Sequence, residues 1–403
     1  MVSKSTRLGQ MGRRGFIASL LSLGVSGKAA ASLTSEELKE LTNNPERDVP
    51  QIKYYKHTNH EEVANGNATP KRQPVHYTIS RDRWVRINTV KNAAKNILNQ
   101  LSSAPGNLSD SNGSEEIKVG ITSEMSDAEL GVVVQKSIKP DQPQGNNSAI
   151  GFDELKELVP SEASGSVSYN GNTERRDSIP VLTEKVINRE QYFEGRDRPV
   201  PGGCRITTDW PGTAGTPVYD AMNGQYGCVS AAHVLNWKDP IEVYQPDDDS
   251  GWLNDNHIGD SVRVCDGYDG DFGVFSGETD FKYNIASETD TDGYDWDIQG
   301  IVSNTRIQNM VDSGEYSRGQ GYRTGRDYGE VKKYFIDDSP RNHGPAVVMD
   351  WDTDGGDSGG PYYELDSDGA YIMGIHAWEA GSEGHDAKGN TMQYIERYLD
   401  VIV

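Results

Sequence analysis

The segment Gly356-Asp357-Ser358-Gly359-Gly360-Pro361 constrains this chain more than any other part of its sequence. A serine that attacks a carbonyl carbon needs an exposed hydroxyl on a tight turn, with backbone N–H groups directed at the developing oxyanion. Glycines on both sides of Ser358 allow such a turn and let another backbone approach closely. The segment therefore predicts Ser358 as a nucleophile, with the N–H groups of Gly356 and Ser358 as an oxyanion hole.

A second motif, Cys228-Val229-Ser230-Ala231-Ala232-His233, lies earlier in the chain. An apolar strand leads into two small residues and then a histidine, which places the imidazole at a strand end where it can face a cleft. Serine is not nucleophilic at neutral pH without a neighbouring base, and histidine titrates in the required range. We therefore predict His233 as the general base that activates Ser358.

Together, Ala-Ala-His and Gly-Asp-Ser-Gly-Gly-Pro resemble the trypsin/chymotrypsin family, whose triad follows the chain order His, Asp, Ser. The resemblance covers residues 200–403. It includes Gly321–Gly325, similar to a glycine-rich hairpin of the bacterial α-lytic protease and streptogrisin branch, and Gly374–Trp378, similar to one wall of the specificity pocket. It implies a mainly β fold of two six-stranded antiparallel barrels with the catalytic residues in the cleft between them.

The resemblance also implies an aspartate that accepts the second imidazole N–H and fixes the tautomer of the base. Asp271 is our choice, because Asp271–Phe275 resembles the Asp-small-apolar strand of the family. Asp269 and Asp297 are the alternatives, and Asp297 also precedes an apolar strand.

For the substrate pocket the resemblance points in two directions. Asp352 lies six residues before the serine, where trypsin-like members hold an Arg or Lys side chain. His376 lies where relatives that cut after glutamate place a histidine. Trp378 belongs to the same wall, and Glu379 replaces a glycine that is usual there. Two acids near one histidine make the pocket net negative, so we expect Arg or Lys before the scissile bond.

The chain divides into four predicted regions. Arg13 and Arg14, a short apolar run and Ala29–Ala31 are typical of a twin-arginine signal, so we expect an extracellular protein exported by that route. The apolar run is far shorter than the ~20 residues that span a bilayer. The regions are a signal peptide at 1–31, a helical and linker region at 32–114, a small α/β domain at 115–195 and a trypsin-like protease domain at 196–403.

Hydrophobic periodicity gives a coarse prediction for the N-terminal half. Helices are expected at Thr34 onward, at Val90–Leu101 and at Phe152–Val159, and strands at Val75–Ile79, Ile117–Ile121, Leu130–Val134 and Ile179–Val186. By analogy with the bacterial branch, this N-terminal region is expected to assist folding and occupy the active site. An exported accessory or binding domain is the alternative. Arg198-Pro199 offers no new Ile or Val terminus on cleavage, so activation by insertion of a terminus is not expected.

Composition restricts the partners. The net charge of −23 argues against nucleic acid and anionic membrane, and residues 241–300 hold 16 acidic against 2 basic side chains. Such acidity keeps a protein hydrated in concentrated salt, which indicates a salt-adapted host; an acidic protein of an ordinary host is the alternative.

No cofactor or metal is expected, since two Asp-rich segments lack the closing Glu of a calcium loop. One pair of the three cysteines can oxidise after export.

The sequence therefore predicts a secreted serine endopeptidase that hydrolyses protein or peptide substrates through an acyl-enzyme. A catalytically silent relative that serves for binding is the alternative. An esterase is disfavoured, because the Gly-x-Ser-x-Gly elbow is not found in its strand–turn–helix setting.

Overall fold

The computed structural model describes residues 48–102, 115–123, 130–138, 152–169, 172–187, 200–209, 211–237, 239–245, 256–265, 270–277, 281–286, 294–336, 344–353, 356–380 and 386–403. The predicted helix after Thr34, the signal peptide, Asp269 and all of the predicted linker at 102–114 except Ser102 lie outside these residues. Within them, every helix is too short or too polar to cross a membrane.

Helices and strands of the N-terminal half are β1 Asp48–His57, α1 His60–Ala64, β2 Arg72–Ser80, α2 Arg81–Ser102, β3 Glu115–Thr122, β4 Gly131–Ile138, α3 Phe152–Leu158, β5 Glu162–Tyr169 and β6 Asn172–Ile187. The next strands are β7 Val200–Gly202, β8 Arg205–Thr207, β9 Pro211–Thr213, β10 Thr216–Asp220, β11 Gln225–Ser230, β12 Glu242–Tyr244, β13 His257–Val264, β14 Gly273–Ser276 and β15 Phe281–Ala286. The last elements are β16 Tyr294–Val302, α4 Asn304–Ser313, β17 Tyr316–Gly321, β18 Gly325–Phe335, β19 Ala346–Met349, β20 Pro361–Asp366, β21 Gly369–Ala380, β22 Asp386–Thr391, α5 Met392–Leu399 and β23 Val401–Ile402.

The first barrel is built from short strands between residues 203 and 276. Strand β10 pairs with β11, followed in order by β14, β13, β12 and β8. Strands β9 and β10 form one bent strand, whose first part pairs with β8 and whose second part pairs with β11. Hydrogen bonds between Ala214 and both Gly203 and Cys204 extend the β8 pairing and close the ring. This barrel encloses its own apolar cluster, which includes Val234, Leu235 and Phe275.

The second barrel is a closed antiparallel ring of β17, β18, β19, β22, β21 and β20, in which β20 pairs back to β17. The bulky side chains of Trp351, Tyr362 and Met349 fill it and are fully buried. The predicted fold class, two antiparallel β-barrels preceded by an α/β unit, is confirmed by this strand pairing.

The N-terminal half extends the second barrel at two places. Strand β1 pairs with β16, which in turn pairs with β21, and β2 pairs with β1. Strand β3 pairs with β18 through Lys333↔Thr122 to Phe335↔Gly120 and continues into β4, β6 and β5. Helix α2 packs against β3, β4, β5 and β6 through side chains that include Trp84, Val90 and Ala94. One hydrophobic core therefore runs from the α/β unit into the second barrel.

Buried charges also join the α/β unit to the second barrel. The ammonium group of Lys333 is 3.0 Å from a carboxylate oxygen of Glu184 on β6. Gln135 on β4 donates to Glu184 at 2.9 Å and accepts from Lys388 on β22 at 3.2 Å. Lys333, Lys388 and Gln135 are each at most 2% exposed. A buried charge left without its partner is strongly destabilising, so this interface depends on both sides remaining together.

Most local predictions for the N-terminal half are confirmed: α2, α3, β2, β3, β4 and β6 cover the expected segments. Strands β1 and β5 and the short helix α1 of this half were not predicted, nor was helix α4 of the C-terminal half. Helix α4 has an N-cap serine, Ser303, whose hydroxyl accepts from the Arg306 N–H, and it ends at Gly314 with φ +60°. Its apolar positions Ile307, Met310 and Val311 have helical spacing and are buried.

The three cysteines are free thiols, and each is buried. Cys204 and Cys228 contact backbone carbonyls through sulfur. Burial raises the pKa of the Cys228 thiol. The structure therefore shows no oxidised pair among the cysteines.

Candidate active site

His233 and Asp271 are in direct contact at one end of the first barrel. The Nδ1 atom of His233 is 2.7 Å from Oδ2 of Asp271, and the backbone N–H of His233 donates to Oδ1 at 3.0 Å. The carboxylate is 1% exposed, whereas the imidazole is 13% exposed. One carboxylate thus holds both the ring and the backbone of the histidine, and this fixes the direction of the imidazole.

The strand register explains why these two residues meet. Strands β11 and β14 are antiparallel, and Ser230 at the end of β11 pairs with Gly273 at the start of β14. His233 follows the end of one strand and Asp271 precedes the start of the other, so both lie at the same end of the pair. The N–H of Asp271 also donates to the Asn390 side chain of β22, at 3.2 Å, which links the aspartate to the second barrel.

Ser358 lies in the turn that precedes β20 of the second barrel and is 7% exposed. Two glycines of the turn, Gly356 and Gly359, have φ of +99° and +95°, which side chains rarely adopt. The N–H of Gly359 donates to the His376 carbonyl at 2.7 Å, and the N–H of Gly360 donates to the Asp357 carbonyl at 2.8 Å. The turn is therefore a defined conformation that depends on its glycines.

Asp357, the residue before the serine, is completely buried. Its carboxylate accepts from the backbone N–H groups of Arg323 and Thr324, at 3.1 and 3.2 Å, and from the Thr324 hydroxyl at 2.8 Å. These donors belong to the hairpin turn between β17 and β18. The hairpin therefore supplies three hydrogen bonds to this buried carboxylate.

Thr213, which the sequence analysis did not single out, contacts the serine turn from the first barrel. Its N–H donates to the Ser358 carbonyl at 2.8 Å, and its hydroxyl donates to the Gly356 carbonyl at 2.6 Å. The one sequence signal near it is the run of small residues Gly212-Thr213-Ala214-Gly215, which permits a close approach between backbones.

His376 is buried on β21, 3% exposed, and its Nδ1 is 2.6 Å from the hydroxyl of Tyr362. Its ring also meets Trp351 edge-on and hydrogen-bonds the backbone of Lys388. Burial, together with the nearby His233 ring, lowers the pKa of His376 to about 3. Burial raises the pKa of Tyr362 well above its ordinary value, so the hydroxyl keeps its proton and donates to the imidazole. His376 is therefore a neutral ring at neutral pH.

The remaining predicted pocket residues are spread along two segments. Trp378 and Glu379 follow His376 on β21 and are 8% and 7% exposed. The Trp378 ring lies 5.4 Å from the ammonium of Lys118 on β3 and 5.6 Å from that of Lys388. Asp352 is exposed, directly after the fully buried Trp351. The α/β unit thus contacts the predicted pocket wall at Trp378.

The alternative triad aspartate, Asp297, lies elsewhere. Its side chain is 57% exposed, contacts His60, and accepts from Asn284. Across the described residues, no three His, Cys, Asp or Glu side chains are grouped so that they could hold a metal ion.

No family model matches this chain, and no curated protein matches its sequence. Solved structures do match it. One is a glutamic acid-specific serine protease described as using a histidine triad in substrate binding, 20% identical over 51% of this chain and 100% of that chain, with a TM-score of 0.38. A Nocardiopsis protease is 17% identical over 50% of this chain and 97% of that one, with a TM-score of 0.35. Thermobifida fusca protease A is 15% identical over the same shares, with a TM-score of 0.36.

Proposed function

We propose that this protein is a serine endopeptidase that cleaves protein substrates through an acyl-enzyme. Ser358 is the nucleophile, His233 the general base and Asp271 the residue that orients it. The observation that carries the proposal is the contact of Asp271 with both the ring and the backbone of His233. The first barrel, which holds these two residues, also binds the serine turn through the hydrogen bond from Thr213 to the Ser358 carbonyl.

The proposed reaction follows from these contacts. Because Nδ1 of His233 carries the proton that is donated to Asp271, Nε2 is the unprotonated nitrogen that takes the Ser358 proton as Oγ attacks the carbonyl carbon. The N–H groups of Gly356 and Ser358 stabilise the oxyanion. His233 then protonates the leaving amine, and water hydrolyses the ester on Ser358 by the same route. Asp271 stays ionised and stabilises the imidazolium.

Fluorophosphonate labelling tests this function. The proposed enzyme reacts at Ser358, and Ser358→Ala removes both the label and the hydrolysis of a protein substrate. Ser313→Ala is the matched control, because it makes the same change at a serine whose hydroxyl binds the Asn309 carbonyl at the end of α4. A protein that folds but neither labels nor hydrolyses peptides favours the silent binding protein instead.

We propose a preference for Arg or Lys before the scissile bond. A neutral His376 that already accepts from Tyr362 is a poor partner for a substrate carboxylate, and Glu379 adds negative charge on the same strand. Hydrolysis of matched Arg, Glu, Phe and Ala peptides measures this preference. Faster cleavage after Glu would assign the specificity role to His376, and faster cleavage after Ala would mean that Glu379 blocks the pocket.

We also propose extracellular export by the twin-arginine route and control of the active site by the N-terminal region. The contact of Lys118 with Trp378 supports the second proposal, because it sets the α/β unit against the predicted pocket wall. Mass spectrometry of the secreted protein tests both through its N-terminus. A mature chain that keeps residues 48–187 and full activity would favour an accessory domain.

A further inference from the structure

Thr213 is fully buried where the two barrels meet, and its polar groups are paired across that boundary. Its N–H and hydroxyl donate to the carbonyls of Ser358 and Gly356. The same hydroxyl accepts from the Tyr322 N–H at 3.1 Å, and the Thr213 carbonyl accepts from the Ser230 hydroxyl at 2.7 Å. One side chain therefore ties the first barrel to the serine turn and to the β17–β18 hairpin.

The two carbonyls that Thr213 binds belong to the residues whose N–H groups form the proposed oxyanion hole. A glycine backbone adopts φ of either sign at little cost, so Gly356 has several conformations open to it in isolation. In the structure its φ is +99°, and its carbonyl accepts from the Thr213 hydroxyl. A hydrogen bond from a buried hydroxyl thereby restricts the glycine on which one oxyanion donor depends.

The bent strand formed by β9 and β10 lies so close to the serine turn that the glycines at the contact have no space for a side chain. A Cβ atom added at Gly359 would be 2.1 Å from the Thr213 carbonyl oxygen, and one added at Gly215 would be 2.5 Å from the Gly359 carbonyl oxygen. Ser230, which binds Thr213, immediately precedes Ala231-Ala232-His233. Thr213 therefore links the strand that leads to the base, through the Ser230 hydroxyl, to the turn that carries the nucleophile.

We propose that Thr213 is a positioning residue for the oxyanion hole, acting through the Gly356 carbonyl. This inference rests on the proposed peptidase function. It assigns to the Thr213 hydroxyl a task that is separate from substrate binding: it holds a turn whose N–H groups stabilise charge only in the transition state. Its loss should therefore lower kcat and leave KM nearly unchanged.

The experiment compares Thr213→Val, which removes the hydroxyl at nearly constant shape, with Thr213→Ser, which keeps it. Thr216→Val is the control, since Thr216 is equally buried on the same bent strand and its hydroxyl faces the Pro217 carbonyl. For Thr213→Val we expect kcat to fall roughly 10- to 100-fold, less than the ~10²–10³ for loss of an oxyanion donor itself, with KM within about twofold. Affinity for a peptide boronic acid, which mimics the tetrahedral intermediate, should fall by the same factor.

Thr213→Ser should stay within about threefold of the wild type in both measurements, because the hydroxyl is retained. The proposal is overturned if Thr213→Val keeps the kcat and boronate affinity of Thr216→Val, or if it raises KM alone. If Thr213→Val does not fold, Thr213→Ala replaces it, and a Thr213→Ser variant as impaired as Thr213→Ala overturns the proposal. A wild type that neither hydrolyses peptides nor reacts with fluorophosphonate refutes the peptidase function itself.

Discussion

Asp271→Asn separates the orienting role of this residue from its role in the fold. Asparagine is similar in shape to aspartate, and its Oδ1 can still accept the His233 N–H that Asp271 binds at 3.0 Å. Its amide nitrogen replaces Oδ2, the atom 2.7 Å from Nδ1. An amide N–H donates, so the ring must accept at Nδ1 and carry its proton on Nε2. In that tautomer the imidazole cannot take the Ser358 proton.

The size of the effect follows from two losses. In the transition state the imidazolium of His233 loses its ion pair with the Asp271 carboxylate. Two unit charges 4 Å apart attract by about 4 kcal/mol at an effective dielectric constant of 20. The wrong tautomer adds to this loss, and together they predict a fall in turnover of ~10⁴, or about 5 kcal/mol. The assay is kcat/KM on a peptide substrate, with the melting temperature as the check on folding. Asp297→Asn is the matched control, because Asp297 is 57% exposed and contacts His60 and Asn284. A loss below tenfold in Asp271→Asn, or a large loss in Asp297→Asn, refutes the reasoning.

Two further predictions concern the triad and the acidic surface. Ser358→Ala and His233→Ala should each abolish hydrolysis of a peptide substrate without lowering the melting temperature markedly, and the double variant should lose little more, because the residues act in one step. If the factors by which the two single variants lower activity multiply in the double variant, the two residues act independently. The melting temperature should rise between dilute buffer and about 2 M salt, because residues 241–300 hold 16 acidic against 2 basic side chains and the excess acids repel one another less when screened. A flat or falling melting temperature over that range would argue against this surface effect.

Short sequence motifs were enough to propose Ser358 as the nucleophile and His233 as the base. Ser358 and His233 lie in short motifs whose small residues allow the turns that the structure has. Asp271 was chosen because Asp271–Phe275 resembles the Asp-small-apolar strand of the family, whereas the pairing of β14 with the strand before His233 is seen only in the structure. In each case the local turn or strand that holds the side chain depends on neighbours in sequence.

The features that were missed depend on contacts between distant residues. Strand β1 contains Pro50 and follows a polar stretch, and its pairing with β16 joins segments about 250 residues apart. Thr213 contacts Gly356, 143 positions away, so nothing around a lone threonine indicates its partner. For His376, the sequence suggested a carboxylate-binding role, but the bond to Tyr362 and the burial emerge only when β20 and β21 pair. Long-range pairing of strands is where local patterns carry the least information.

The pairing of β3 with β18 also bears on the solubility of the protease half alone. Strand β17 pairs with β18 as far as residue 330. Beyond it, strand β3 pairs with residues 333–335 of β18. Without the α/β unit, those backbone groups would form an open sheet edge beside Lys333, whose carboxylate partner Glu184 would be gone. Open edges template the addition of strands from other molecules, while an exposed lysine on such an edge opposes it. The same lysine that binds the α/β unit in the intact chain would thus protect the separated barrel from edge-to-edge aggregation.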